Sequence, residues 1–412
     1  MRRYLLPILI SNLLLLNVQR LTAHEAEQHF TTGIQAFNQG TLQDAIIAFG
    51  QAIHSYPGYA QAHFMLGRVY YQQKNYQQAQ TAFQNAIDHY PGYAEAHYML
   101  GLSLHHQAQF EAASKATREA IKRYPRYEEA HYLSATLAEQ RGDWPAALHA
   151  YRQVVKLNPS NVEVRLRLGI ALEQTGQAAD AKRVYQQIVD RQPRHLEALL
   201  RFAVLAEQQH PQEAVSAYQT ILQQQPQHAE ALYRLAVLHD TQGNVEAAIS
   251  AYSRFLILQP QHAEAALYLG QLQAQQGDLT AAERAYKQAI RARPNFIEAH
   301  YQLAILYKKQ QQSTRAADLL RQVLEQQPQH AEARYTLGVI YVEQQQYHMA
   351  VDAFKAALSI RPDFTEAHYS LGVCYEFYLP DIAKALKHYQ HFLRLGGRDD
   401  RIQQLIEYSQ KR

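Results

Sequence analysis

Ten of the 21 histidines in this chain fall into two periodic sets. His29, His63, His97, His131, His300 and His368 occupy one column of a frame about 34 residues long, and His195, His228, His262 and His330 occupy another, next to prolines. Imidazole ladders invite a metal hypothesis. If successive rungs stand on neighbouring packed helices, however, they lie roughly 8–10 Å apart. Zinc takes its nitrogen ligands at about 2.0–2.1 Å, so one rung cannot share an ion with the next. The local pairs His105-His106 and His388/His391 are weak candidates, and a solvated pair is the commoner meaning. Catalytic patterns are missing too: there is no Gly-rich phosphate loop, GxSxG or HExxH. The lone Cys374 shares its column with Val69, Leu137 and Ile340, which predicts a buried thiol rather than a nucleophile. No cofactor is implied.

Recognition chemistry is better represented. Glutamate recurs at Glu27, Glu95, Glu129, Glu163, Glu197, Glu230, Glu264, Glu298, Glu332 and Glu366. Three residues on, an aromatic or leucine shares its helical stripe, as in Phe64, Tyr98, Tyr132, Tyr233, Tyr301, Tyr335 and Tyr369. The next column changes along the chain, from Met65, Met99 and Leu133 to Arg167, Arg201 and Arg234, then to Tyr268, Gln302, Thr336 and Ser370. Each arginine follows a glutamate at i, i+4 (Glu163, Glu197, Glu230), an orientation that supports a helix by roughly 0.2–0.5 kcal/mol. Helix support and recognition of an acidic group on a partner are compatible roles for these arginines.

The elements that carry these columns are marked by prolines. Pro57, Pro91, Pro125, Pro159, Pro193, Pro226, Pro260, Pro294, Pro328 and Pro362 stand 34 residues apart, with one gap of 33. Proline inside a helix removes a hydrogen bond and clashes with the preceding turn, so a regular series of prolines ends a regular series of helices. Within one unit, His63, Leu66, Gly67 and Tyr70 make one face of a first helix, and Lys74-Asn75 makes a turn. Ala79, Phe83 and Ala86 then make one face of a second helix.

This unit resembles the tetratricopeptide repeat, whose pattern is Trp-x2-Leu-Gly-x2-Tyr, then Ala-x3-Phe, then Pro, with His63 in the Trp slot. Eleven units follow the frame, starting near 26, 60, 94, 128, 162, 196, 229, 263, 297, 331 and 365. The small position is always Gly or Ala, from Gly33 to Gly372, and the second-helix alanine runs from Ala45 to Ala385. The resemblance implies an all-α, right-handed α-solenoid superhelix of antiparallel helix pairs over 24–397. Residues 398–412, with Ile402, Leu405 and Ile406 on one face, would form a capping helix. It also implies a concave groove lined by first helices, which assigns a partner-binding strip to Phe64, Met65, Tyr98, Met99, Tyr132 and Leu133. The arginine trio with Tyr233, Tyr301, Tyr335 and Tyr369 would continue that strip. The carboxylate clamp of chaperone-binding members and the asparagine ladder of O-GlcNAc transferases are not reproduced. Two irregularities, Gln209-His210-Pro211 and Leu379-Pro380-Asp381, are expected to lie in turns.

Composition narrows the partners. A formal net charge of +3 and 19% charged residues provide no basic field for nucleic acid. Residues 1–23 open with Arg2-Arg3, continue through an apolar run to Leu16 and reach Ala23, the layout of a secretory signal peptide. An uncleaved anchor is the alternative, and would be the sole membrane contact. The expectation is therefore an exported, periplasmic, non-enzymatic scaffold that binds a protein or peptide segment. A polysaccharide-binding or export scaffold is the second reading.

Overall fold

The computed structural model describes the backbone of residues 5–410 and the side chains of 22–409. Among the described residues the chain is helical throughout, with eleven helix pairs and a final helix Asp400–Gln410. Of the leader expected over 1–23, residues 1–4 lie outside the described backbone and residues 1–21 outside the described side chains. From Leu5 its backbone belongs to the first helix, Leu5–Gln39. No helix among the described residues is long and apolar enough to cross a membrane.

Two compact units divide the chain, residues 1–206 and 207–412. The first holds five helix pairs and the helix Leu196–Ala206; the second holds the helix Pro211–Gln224, five pairs and the final helix. Within each unit, successive antiparallel helices pack on their neighbours in chain order.

Local chemistry sets the period. The pair Ala60–Gln72 and Tyr76–His89 is joined by a turn in which Lys74 adopts a left-handed φ of 60°. The Asn75 side chain then accepts from the Gln78 backbone N–H and starts the second helix. Tyr90 ends that helix in an extended conformation (φ −138°, ψ 86°), as a residue before proline must, because the Pro91 ring disfavours the α region for it.

Packing explains the two small columns. The second-helix rings Phe49, Phe83, Tyr151, Tyr185, Tyr218, Tyr252, Tyr286, Phe354 and Tyr389 are buried. Six of the seven first-helix glycines lie directly against one, Gly101 facing Thr117 instead: a Cβ on Gly67 would come within 2.7 Å of the Phe83 ring, and one on Gly270 within 2.6 Å of Tyr286. Real methyl groups do not approach so closely, so glycine lets the two helices meet over a large ring.

The two irregularities are resolved differently. His210 directly precedes the helix starting at Pro211, so the short sixth repeat shortens its turn region as expected. The extra residue of the eleventh repeat is absorbed earlier than expected, in a π-helical turn over Cys374–Tyr378, where the Leu379 N–H reaches back to the Cys374 carbonyl. An insertion can be carried inside a helix in this way without breaking its packing. At the C-terminus, Ile402 and Ile406 are buried.

Candidate interaction surface

The histidine columns prove to be structural donors and caps. His63, His97, His131 and His368 each place Nε2 2.9–3.2 Å from the carbonyl oxygen of the proline six residues earlier. Arg165 and Arg334 do the same for Pro159 and Pro328. At two of the three apolar slots, Leu232 and Ala266, the second helix supplies the donor: Arg254 to Pro226 at 3.0 Å and Gln288 to Pro260 at 3.1 Å. His300 departs from the set and bonds the Phe296 carbonyl through Nδ1. The other column caps helices. Nδ1 of His195, His228, His262 and His330 accepts the backbone N–H of Ala198, Ala231, Ala265 and Ala333, at 3.2–3.3 Å. Among the described residues no three His, Cys, Asp or Glu side chains are arranged to hold a metal. His368 stacks on His391 at 4.8 Å and meets His388 Nδ1 to Nδ1 at 3.1 Å. Burial first, then His368 and His391, depress His388 to about 4.

The arginine trio is held more firmly than its helical spacing suggests. Arg201 donates to Glu197 at 3.1 Å, the expected i, i+4 pair, and also to Glu173 of the preceding repeat at 3.1 Å. Glu173 in turn accepts from the buried hydroxyl of Tyr185. Arg167 repeats the pattern with Glu163, Glu139 and Tyr151, and Arg234 with Glu230, Glu207 and Tyr218. Burial works against the charge on Arg201, but Tyr185, Glu197 and Glu173 outweigh it and hold the guanidinium above its ordinary range. The three tyrosine hydroxyls are pushed strongly upward, by burial and then by their glutamates. A guanidinium already shared by two carboxylates offers an incoming acid a net negative neighbourhood.

The expected apolar strip divides into core and surface. Met65 is 7% exposed and packs with Phe49 and Val69; Leu133 is 5% exposed and packs with Ala113, Ala116 and Leu137. These two therefore leave the accessible strip, whereas Met99 and Tyr268 in the same column stay partly exposed. Phe64, Tyr98 and Met99 are half-buried, and Tyr132 and Tyr369 keep 38% and 37% of their surface. Most of the aromatic column pairs across repeats. Phe64 meets Tyr93, Tyr98 meets Tyr127, Tyr233 meets His262, Tyr301 meets His330 and Tyr335 meets Phe364, with ring centroids 4.7–5.0 Å apart. Phe64, Tyr233 and Tyr335 also meet second-helix rings of their own repeats, Phe83, Tyr252 and Phe354, and all five column rings stay partly exposed. Glu95 and Glu129 are exposed beside these rings and make no hydrogen bond or ion pair among the described residues. Burial first, then Glu129, pushes Tyr98 up to about 12.

A family model described as tetratricopeptide repeat matches residues 30–79, 67–128, 107–162, 132–195, 166–209 and 199–261, which together exceed half of the chain. The chain belongs to the tetratricopeptide repeat family. A second model of the same class, the TPR domain of cytochrome c-type biogenesis protein H, matches residues 254–368. No curated protein matches the chain. Among solved structures, Naa15/Naa10 bound to HypK-THB is 17% identical over 92% of this chain, at a TM-score of 0.49. The chain spans 64% of the length of that protein. A tetratricopeptide repeat protein from Parabacteroides merdae is 21% identical over 60% of this chain and 98% of its own, at 0.39. MamA from Desulfovibrio magneticus RS-1 is 23% identical over 41% and 94%, also at 0.39.

Proposed function

We propose that the chain is a non-enzymatic scaffold that holds a protein segment against the first-helix face of its repeats, in the assembly of an exported protein. The observation that carries this reading is the row of partly exposed rings in the first unit, Phe64, Tyr98 and Tyr132, lying beside exposed, unpaired Glu95 and Glu129. Tyrosine offers large contact area at small entropic cost, since only two side-chain torsions must be fixed. Tyr233, Tyr301, Tyr335 and Tyr369 give the second unit a comparable face. Arg167 and Arg201 in the first unit and Arg234 in the second act mainly as braces between repeats. The likeness of residues 254–368 to the TPR domain of a cytochrome c-type biogenesis protein supports a role in envelope protein assembly, and the leader-like residues 1–23 agree with export.

The test is affinity capture from envelope extract with the full chain, followed by mapping the captured protein as overlapping peptides. Replacing Tyr98 and Tyr132 by Ala should abolish peptide capture while leaving helicity intact. A glycan array run in parallel tests the polysaccharide reading. Binding to sugars with no peptide retained would overturn the proposal.

A further inference from the structure

In the six repeat junctions where an aromatic of the first-helix column meets a ring at the next helix cap, that cap residue is Tyr59, Tyr93, Tyr127, His262, His330 or Phe364. Tyr132 has no such partner, because the equivalent cap residue is Asn161. The short Asn161 side chain folds onto its own helix and accepts the Val164 N–H at 3.2 Å. A cavity of about 240 Å³ opens at this junction, within the first unit. The rings of Tyr98 and Tyr132 and the side chains of Val154 and Val164 line it.

Its remaining lining is acidic. Glu128, Glu129 and Glu163 also border the cavity, and no lysine or arginine does. Glu128 accepts from Asn158, and Glu163 is paired with Arg167, whereas Glu129 makes no hydrogen bond or ion pair among the described residues. An aromatic guest would fill the space but strip water from Glu129 without pairing it, at a cost. An arginine satisfies both parts: its stem lies along valine and ring carbons, its planar head stacks on a tyrosine, and its N–H groups meet a carboxylate.

We infer that the gap left by Asn161 is a pocket for an arginine side chain of the bound protein segment. The pocket would fix the register of that segment on the first unit. This inference rests on the protein-binding reading above and adds the chemistry of one subsite.

Ligand-observed saturation-transfer NMR on the full-length protein, with Ac-Gly-Arg-Gly-NH2 as probe, tests it at low salt. The citrulline tripeptide serves as the neutral isostere and the phenylalanine tripeptide as the aromatic alternative. Saturation of the arginine δ-methylene is expected, with at least about fivefold weaker binding of citrulline. Glu129→Gln should weaken the arginine probe about fivefold. Asn161→Tyr, which restores the ring other repeats carry, should abolish binding while keeping or raising the melting temperature. If Asn161→Tyr does not fold, the exposed Glu129→Gln variant carries the test. Equal binding of citrulline, preference for phenylalanine, or arginine binding unchanged in both variants would overturn the pocket. Partner capture that persists in Asn161→Tyr, with no arginine-probe binding to the native protein, would sink the pocket and leave the scaffold reading standing. Loss of peptide capture in Tyr98→Ala/Tyr132→Ala, with probe binding abolished by Asn161→Tyr, would support both.

Discussion

Replacing Arg201 by Gln removes one member of a linked set, Tyr185–Glu173–Arg201–Glu197, and the cost can be built bond by bond. The outer pair with Glu197 is an exposed i, i+4 contact, worth roughly 0.2–0.5 kcal/mol. The inner bond, 3.1 Å to Glu173, joins side chains that keep 32% and 24% of their surface. Its value should fall between that of an exposed ion pair and that of a hydrogen bond to a charge, at about 1 kcal/mol. Arg201→Gln should therefore cost about 1.5 kcal/mol in all, with about 1 kcal/mol of that appearing as coupling in a double-mutant cycle with Glu173→Gln. With a urea slope of about 3 kcal/mol/M, the midpoint would fall by about 0.5 M. In 1 M salt, where screening acts within about 3 Å, the coupling should shrink by half or more. Circular dichroism during urea unfolding reads this, provided the slopes of the four proteins agree. A midpoint within about 0.1 M of the native protein, with coupling near zero, would refute the view that these arginines brace adjacent repeats.

Other expectations concern packing, caps and protonation. Gly169→Ala should destabilise by about 1–2 kcal/mol, since its methyl would meet the buried Tyr185 ring at 2.4 Å, an overpacking cost larger than the helix-propensity gain. Gly50→Ala, on a helix with nothing within 4 Å of the new methyl, should stabilise by about 0.5–1 kcal/mol; opposite signs in thermal melts are the check. Ala108→Gly should raise stability by about 1 kcal/mol, because Ala108 sits at a left-handed φ of 58° where a Cβ is strained. His228→Ala should lose about 1 kcal/mol through the cap it provides for Ala231, and His228→Asn should retain it. His388, depressed to about 4 chiefly by burial, favours the folded state in its neutral form. Its contribution is complete above about pH 6.5 and is lost as pH falls toward 4. His388→Gln should flatten that part of the stability-against-pH curve, and an unchanged curve would contradict the assignment.

The repeat frame was legible because it is written in residues with one physical meaning each: proline ends a helix, and glycine permits contact with a ring. Features set by partners one repeat away were harder to read. Arg201 and Glu197 are four apart and readable, whereas Glu173 is 28 residues from Arg201 and becomes its neighbour only when repeats stack. Met65 and Leu133 followed the aromatic column by one position, and that turn of about 100° about the helix axis carried them inward. The cap role of His228, His262 and His330 was missed because Ser, Thr, Asp and Asn are the usual cap residues. The role of His63 had left a trace, the constant six-residue interval from proline to histidine. Asn161 stands where the three preceding repeats carry Tyr59, Tyr93 and Tyr127, and only the cavity beside it gives that difference meaning.

The hydrogen bond to eight of the ten periodic proline carbonyls, all but Pro193 and Pro294, bears on how such an array can grow. Whether the donor is a residue six positions on, as His63 is to Pro57, or one 28 positions on in the second helix, as Arg254 is to Pro226, it belongs to the unit that the turn leads into. A duplicated copy of any of these eight units therefore arrives with the donor for its own entrance. The bond is inherited by the module rather than by the junction. Histidine, arginine and glutamine can then replace one another along the chain, and an ancestral array could lengthen by whole units without first evolving a new joint.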